Sequence, residues 1–465
     1  MIDIKYIREN LDFVKQNCKV RGSDADVDAI AALDKERREV TQKAEALRSE
    51  RNRLSKECQT NPAAREQVKA MKEELAALET QEKELGEKLD AALSWLPNIL
   101  DPEVPMGKDD ADNKEIRKVG TIRQFDFKVR DHVELGESLD ILDIKRGAKV
   151  AQSGFYYWKG KGALLCDALY TWVKAELIKR GFTPMITPCL AKERTLYGTG
   201  YLPFFADQTY KLEREDLALI GTSEQTLVGF HADETLDAEK LPIFYTAYSP
   251  CFRTEAGSYG KASRGIFRVH QFHKVEQIIF CKPEDSVNQH KFALENEEML
   301  LQKLGLPYHV VDVCVGDMGA PGYRKYDIEA WYPSFNGYRE VTSNTNLTEF
   351  QSRRLNIRYK AKDGSKGFVH TISATAATDR VAICILENYQ QADGSVVVPE
   401  VLRPYTGFDK IDAPAKYALL FVREAKTALK SGSSPLALSS FPKLLDRLCI
   451  STQRLTGIFQ YWKFQ

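Results

Sequence analysis

The stretch LPIFYTAYSPCFRTEAGSYGKASRGIFRVHQFHKVEQIIF, residues 241–280, reads as two β-strands folded around a long polar loop. Cys251, Phe252, Arg253, Thr254 and Glu255 close the first strand. Residues 267–276 (FRVHQFHKVE) form the second, with the turn residues Gly257, Ser258, Gly260 and Gly265 between them. Side chains in a strand point the same way every second residue, so Arg268, His270, Phe272, Lys274 and Glu276 share one face. Cations, an aromatic ring and a carboxylate thus line one surface, opposite a second arginine and glutamate, Arg253 and Glu255. Such a surface suits a phosphate, a planar base and an ammonium group together.

A charged strand at a surface is ordinarily a solvated one. Here, however, the pattern F-R-x-E on one strand and R-x-x-x-F on the other resembles motif 2 of the class II aminoacyl-tRNA synthetases. The wording CFRTEAG followed by RVHQFHKVE is similar to that of the seryl-tRNA synthetases in particular.

Composition sets wide bounds around this reading. At 465 residues the chain has room for two or three domains. Lys+Arg and Asp+Glu are both 66, so no global field draws the protein to nucleic acid, and any RNA contact must use local patches. Nine widely spaced cysteines without metal-ligand spacing read as reduced, structural thiols, and no structural zinc is expected. The N-terminus lacks an apolar run and no span of about eighteen apolar residues occurs, so no membrane association is expected and the expected location is cytoplasmic.

Upstream of the hairpin, a short helix and a linker around Arg21 precede a helical hairpin. In its first arm Leu33, Val40, Leu47 and Leu54 recur every seven residues, with Ala44 and Cys58 also on the seam and Arg37 and Arg51 interrupting it. A turn near Thr60, Asn61 and Pro62 leads to a second arm in which Val68, Met71, Leu75, Leu78, Leu85, Leu89, Ala92 and Leu96 form a stripe broken only by Glu82. Each arm would span about 45 Å. Between Asp34 and Glu57 there are eight basic and six acidic residues, a slight surplus. The hairpin resembles the N-terminal coiled-coil arm with which seryl-tRNA synthetases embrace the variable arm of their tRNA, and Arg38, Arg48 and Arg53 are its candidate RNA contacts. Residues 97–120, rich in proline, aspartate and glycine, read as a linker with few contacts to the globular part.

Three further segments follow in the order the family requires. A helix over 163–180 and the strand before Pro188 resemble motif 1, which implies a homodimer through this region. Thr222, Ser223 and Glu224 read as a helix cap and, by the resemblance, border the amino-acid pocket. Residues 369–389 read as strand, turn and apolar helix and resemble motif 3. Its arginine, here Arg380, is placed against the helix dipole, which an anion would explain.

The resemblance implies an α+β fold: an antiparallel coiled-coil hairpin, then a catalytic domain on a mainly antiparallel sheet flanked by helices. The expected division is 1–110 for the N-terminal domain (arm about 30–97), 111–410 for the catalytic domain and 411–465 for an extension of unassigned role. It implies activation of L-serine by ATP with Mg2+, then transfer to tRNA(Ser), and leaves open whether tRNA(Sec) is a second acceptor. Catalytic roles fall on Arg253 for the α-phosphate and Arg380 for the γ-phosphate. ATP would meet Arg253, Thr254, Glu255, Arg268, Phe272, Glu340, Val341, Thr342, Ser343 and Arg380, with Glu340 and Ser343 holding Mg2+. Serine would meet Thr222, Ser223, Glu224, Arg253, Glu276 and Thr375. Thr375 is the hydroxyl reader, with Ser373 or the Ala374 backbone as the alternatives, since motif 3 here is one residue short of the usual pattern. An amino-acid ligase loading a carrier protein and an inactive tRNA-binding homologue are the rival readings. No G-x-x-x-x-G-K-[ST] loop suggests a different ATP enzyme.

Overall fold

The structure is a computed structural model that describes residues 1–56, 62–255 and 265–412. The arm's turn, the loop residues Gly257, Ser258 and Gly260, and nearly all of the 411–465 extension lie outside the described residues.

Eight strands build the central sheet: β1 (Lys114–Val119), β2 (Thr183–Met185), β3 (Ile243–Phe252), β4 (Gln271–Cys281), β5 (Tyr308–Asp312), β6 (Arg324–Tyr332), β7 (Gly337–Thr348) and β8 (His370–Thr378). Their spatial order is β1-β5-β6-β7-β8-β4-β3-β2, and every pair is antiparallel except β2 with β3. The helices Lys161–Lys179, Ser286–Lys303 and Asp379–Asn388 pack their apolar sides against it. Leu165, Leu169, Val173 and Leu177 recur every four residues on the first of these. They join Val275, Ile279, Ile328 and Ile372 of the sheet in one buried core. Small residues at the centre of β8, Ala374, Ala376 and Ala377, let its neighbours close over it.

The helical hairpin comprises Val27–Ser55 and Pro62–Ser94. Val40, Ala44, Leu54, Leu75, Leu85 and Leu89 are buried on its seam. The seam's polar interruptions are accommodated locally. Thr41 donates to Glu82 across the helices at 2.8 Å, and the Arg37 guanidinium lies over Gly86, whose missing side chain leaves the room.

Two expectations need correction. Residues 97–120 are not a free linker. Leu100 and Val104 are buried with Val311, Val313 and Val315, and β1 is an edge strand of the central sheet, paired with β5 from Lys114 to Val119. Its residues KEIRKV are almost all exposed, as suits an edge that must resist further pairing, so no alternation betrayed it. The motif 2 strands are also shorter than the alternation predicted. Ladder pairing ends at Phe252 opposite Gln271, leaving Arg253–Glu255 and residues 265–270 beyond it.

Candidate functional site

Two adjoining cavities open on the sheet face away from the core, over β3, β4, β6, β7 and β8. Arg253, Lys274, Lys325 and Ser343 line both of them.

The smaller, of about 260 Å³, is bordered by Tyr201, Glu224, Arg253, Lys274, Glu276, Ser343 and Ser373. Its two carboxylates are held from behind. Thr222 caps the helix Ser223–Gly229 by accepting from the Glu224 amide, and its own hydroxyl donates to Glu276 at 2.7 Å. Lys274, two residues earlier on β4, forms an ion pair with the same glutamate. Glu224 receives the Tyr201 hydroxyl at 3.0 Å and the Gln351 amide at 2.7 Å, and Thr371 donates to Gln351 in turn at 2.8 Å. Burial pushes the Glu276 carboxyl up; the Lys274 ammonium opposes this, and Glu224 adds to it. Glu224 and Glu276 thus face Arg253, Lys274 and Lys325 across the lining, and this mixed set of charges matches a small ligand that carries both an ammonium and a carboxylate.

The larger cavity, of about 640 Å³, is bordered by Arg253, Glu255, Arg268, Phe272, Lys325, Arg380 and all of residues 340–343. Strict alternation would put only half of that last run on one face. A register shift opposite Ile328 and Glu329 brings Glu340 to Ser343 together. The Arg253 guanidinium lies 5.2 Å from the Phe272 ring centroid, and Arg268 is 3.7 Å from Glu255. Arg380 is the second residue of its helix and donates to the Glu340 carbonyl (3.1 Å) and the Phe267 carbonyl (3.3 Å), with the Glu340 carboxylate 3.2 Å away. The recess works against ionisation of Glu340, but Arg380, Lys325, Arg253 and Lys274 around it prevail and hold its carboxyl below the ordinary range.

The fit of Mg2+ can be judged from these donors. An ionised carboxylate, 46% exposed toward the cleft, and the Ser343 hydroxyl on the same wall are hard oxygen ligands. They leave most coordination positions to phosphate and water, as Mg2+ prefers.

Several predicted residues stand elsewhere. Thr254 turns outward, its hydroxyl donating to the Asp207 carbonyl at 2.5 Å. His270 donates to the Arg253 carbonyl (3.1 Å) and stacks on Phe155, outside both cavities. Thr222 and Ser223 are fully buried behind the smaller cavity. Ser373 lines that cavity, whereas Thr375, also facing the site, lines the larger one. On the arm, Arg38 is hydrogen-bonded to Asp34 (3.0 Å), Arg48 to Glu79 (2.9 Å) and Arg53 to Glu50 (2.6 Å), so each already has a carboxylate partner.

Sequence reasoning missed Tyr201 and Gln351, which are far from any motif. It also missed Lys325, and Asp379, whose carboxylate receives Tyr156 (2.8 Å), Trp158 (2.9 Å) and the His273 amide (2.6 Å). Only Lys325 had a usable signal, its alternation with Asp327 on a strand directed at the site.

Comparison with known proteins accords with this geometry. Residues 1–100 match the seryl-tRNA synthetase N-terminal domain, and residues 209–389 match the tRNA synthetase class II core domain (G, H, P, S and T). The serine--tRNA ligase of Treponema denticola is 45% identical over 421 residues, 88% of this chain and 100% of that protein. The crystal structure of the Pyrococcus horikoshii seryl-tRNA synthetase complexed with ATP is 40% identical and superposes with a TM-score of 0.84, covering 89% of this chain and all of that one. A Naegleria fowleri cytoplasmic serine-tRNA ligase in complex with AMP is 32% identical, with a TM-score of 0.80 over 89% of this chain and 99% of its own. On the evidence of its two cavities and of identity sustained along nearly the whole length of these proteins, the chain belongs to the seryl-tRNA synthetase family.

Proposed function

We propose that the chain activates L-serine with ATP and transfers it to the 3′ end of tRNA(Ser). The observation that carries this reading is the junction of the two cavities. An acid-lined cavity sized for a small amino acid meets a cation-lined one at Arg253, Lys274 and Lys325.

A serine carboxylate is ionised near pH 7, so attack on the α-phosphate needs no general base. What accelerates it is alignment and preorganised positive charge, and the junction supplies both. Glu276 and Glu224 hold the ammonium and hydroxyl ends of serine, which turns the carboxylate toward Arg253. Arg253 takes the α-phosphate, Arg380 the γ-phosphate of departing pyrophosphate, and Phe272 the face of the adenine. Mg2+ held by Glu340 and Ser343 would neutralise phosphate charge. Ser373, rather than Thr375, is the residue we assign to reading the serine hydroxyl, because it borders the smaller cavity.

Alanine, lacking the hydroxyl, would be rejected by about 10⁴-fold, because polar groups built to bond that hydroxyl would be left unpaired. Pyrophosphate exchange with each of the twenty amino acids tests the whole reading: serine alone should support it, and exchange dependent on another amino acid would overturn it.

The remaining assignments are also ours. Residues 1–110 capture tRNA through the arm and 111–410 carry the chemistry. Ile186, fully exposed beside β2, and Leu164 and Ile178 on the helix Lys161–Lys179 support a homodimer through the segment before Pro188. Among the described residues no helix is long and apolar enough to cross a membrane, and we place the activity in the cytoplasm.

A further inference from the structure

Two residues of the N-terminal region take up four consecutive carbonyls of the loop before β6. Arg21 donates to the Gly319 carbonyl at 2.7 Å and to the Gly322 carbonyl at 2.8 Å. Between them, the Asn98 amide donates to the Ala320 carbonyl at 2.8 Å and the Asn98 side chain to the Pro321 carbonyl at 3.0 Å. The same side chain reaches the Leu347 carbonyl (2.9 Å) and the Thr348 hydroxyl (3.1 Å) at the end of β7. Asn98 is itself gripped: its carbonyl accepts from Asn17 (3.1 Å) and Arg21 (3.2 Å).

The other side of this loop is the wall of the smaller cavity. Met318, Gly319, Pro321 and Gly322 line it, facing Glu224 and Glu276, and Leu347 lines it from β7. A loop rich in glycine has many conformations available, and hydrogen bonds to each carbonyl in turn select one. Arg21 forms no ion pair among the described residues. Burial lowers its pKa to about 10, which marks a guanidinium solvated by peptide carbonyls instead of an anion. Simple adhesion between the N-terminal helices and the catalytic domain is already provided elsewhere. Asp3 pairs with Arg353 at 3.0 Å, and Arg354 donates to the Ser94 carbonyl at 2.9 Å.

We propose that Arg21 and Asn98 are positioning residues for the amino acid: from the N-terminal domain they fix residues 319–322 as the inner wall of the serine cavity. This rests on the assignment of that cavity to serine. Seating of the N-terminal helices thereby becomes a condition for a well-formed substrate pocket, although none of their side chains lines it.

The test compares Arg21→Ala, Asn98→Ala and the control Asp3→Asn in the full chain, by serine- and ATP-dependent pyrophosphate exchange and thermal melting. Asp3→Asn breaks the ion pair to Arg353 but touches no cavity-lining residue. Arg21→Ala and Asn98→Ala should each raise the KM for serine about tenfold, the scale of a misplaced binding wall, with the KM for ATP unchanged. Asp3→Asn should leave both constants unchanged. If either alanine variant fails to fold, Arg21→Gln, which keeps two N–H donors, should show the same selective rise at smaller size. An unchanged serine KM in a folded Arg21→Ala protein, or equal losses for serine and ATP, would reduce the clamp to adhesion and overturn the proposal. A wild-type protein without serine-dependent exchange would overturn the cavity assignment first, and the proposal with it.

Discussion

The two cavities share a wall but are built in opposite ways. In the smaller, the functional carboxylates are buried, Glu276 at 1% exposure and Glu224 at 8%, and every one of them has side-chain partners that fix its direction. In the larger, Arg268 and Glu340 stand half in solvent, at 45% and 46%, and Arg268, Glu340 and Arg380 lean on backbone carbonyls or on other charged groups of the same wall. Dry, fully supported groups discriminate, since a ligand that fails to match them leaves a buried charge unpaired. Open, cationic walls neutralise a large polyanion whose charge moves during reaction, and they tolerate the water that travels with it.

The largest effect should come from the shared wall. Arg253→Ala removes the cation of the shared wall assigned to the α-phosphate, and serine-dependent pyrophosphate exchange should fall by about 10²-fold or more, the scale of a lost preorganised donor. Circular dichroism should show the fold intact, because Arg253 lies beyond the ladder of β3. Near-normal exchange by a folded variant would remove Arg253 from the chemistry.

Next comes the dry side. Glu276→Ala should weaken serine binding by roughly 2 kcal/mol while leaving ATP binding nearly unchanged, because it removes a buried charged partner. Measuring both KM values decides this. Equal losses would mean that Glu276 supports Lys274 and the sheet, and the contrast between the cavities would collapse.

How much of this contrast was legible in the sequence follows from where each interaction runs. Arg253, Phe272, Lys274 and Glu276 sit on one hairpin, so the period of a strand brought them into view together. Arg380 was legible because a cation at a helix N-terminus violates the dipole rule. Tyr201 and Gln351 are 23 and 127 residues from Glu224, and no local period connects such partners. β1 was hidden by its charge, and the register shift in β7 by its irregularity. Arg21 and Asn98, 77 residues apart, read as linker residues, because a residue whose partners are carbonyls has no compositional signature.

A finer cut separates two hydroxyls on β8. Ser373→Ala should raise the KM for serine by about tenfold, since a substrate hydroxyl would lose its partner. Thr375→Val should change it less and act mainly on ATP, whose cavity Thr375 lines. Steady-state exchange kinetics on both variants resolves the assignment, and the reverse order would return the hydroxyl-reading role to Thr375.

The smallest effect concerns what holds the two walls upright. Asp379 is buried at the start of the helix that carries Arg380, and it ties Tyr156, Trp158 and β4 to that helix. Burial opposes its ionisation, but the hydrogen bonds and charge of His273 and the donation from Trp158 prevail, and its pKa is lowered from 3.8. A carboxylate with a depressed folded pKa stabilises the fold fully above its unfolded pKa, and that contribution disappears as pH falls through the folded value. Asp379→Asn should therefore lower unfolding stability by about 1 kcal/mol at pH 7, a typical net hydrogen-bond value. The gap between wild type and variant should stay constant down to about pH 5 and narrow below about pH 4, where the unfolded wild-type chain takes up a proton that the folded carboxylate does not, until the folded carboxylate is neutral too. Urea melts at stepped pH would show this. A gap that persisted unchanged to pH 3 would mean that the Asp379 side chain acts by shape and not by charge.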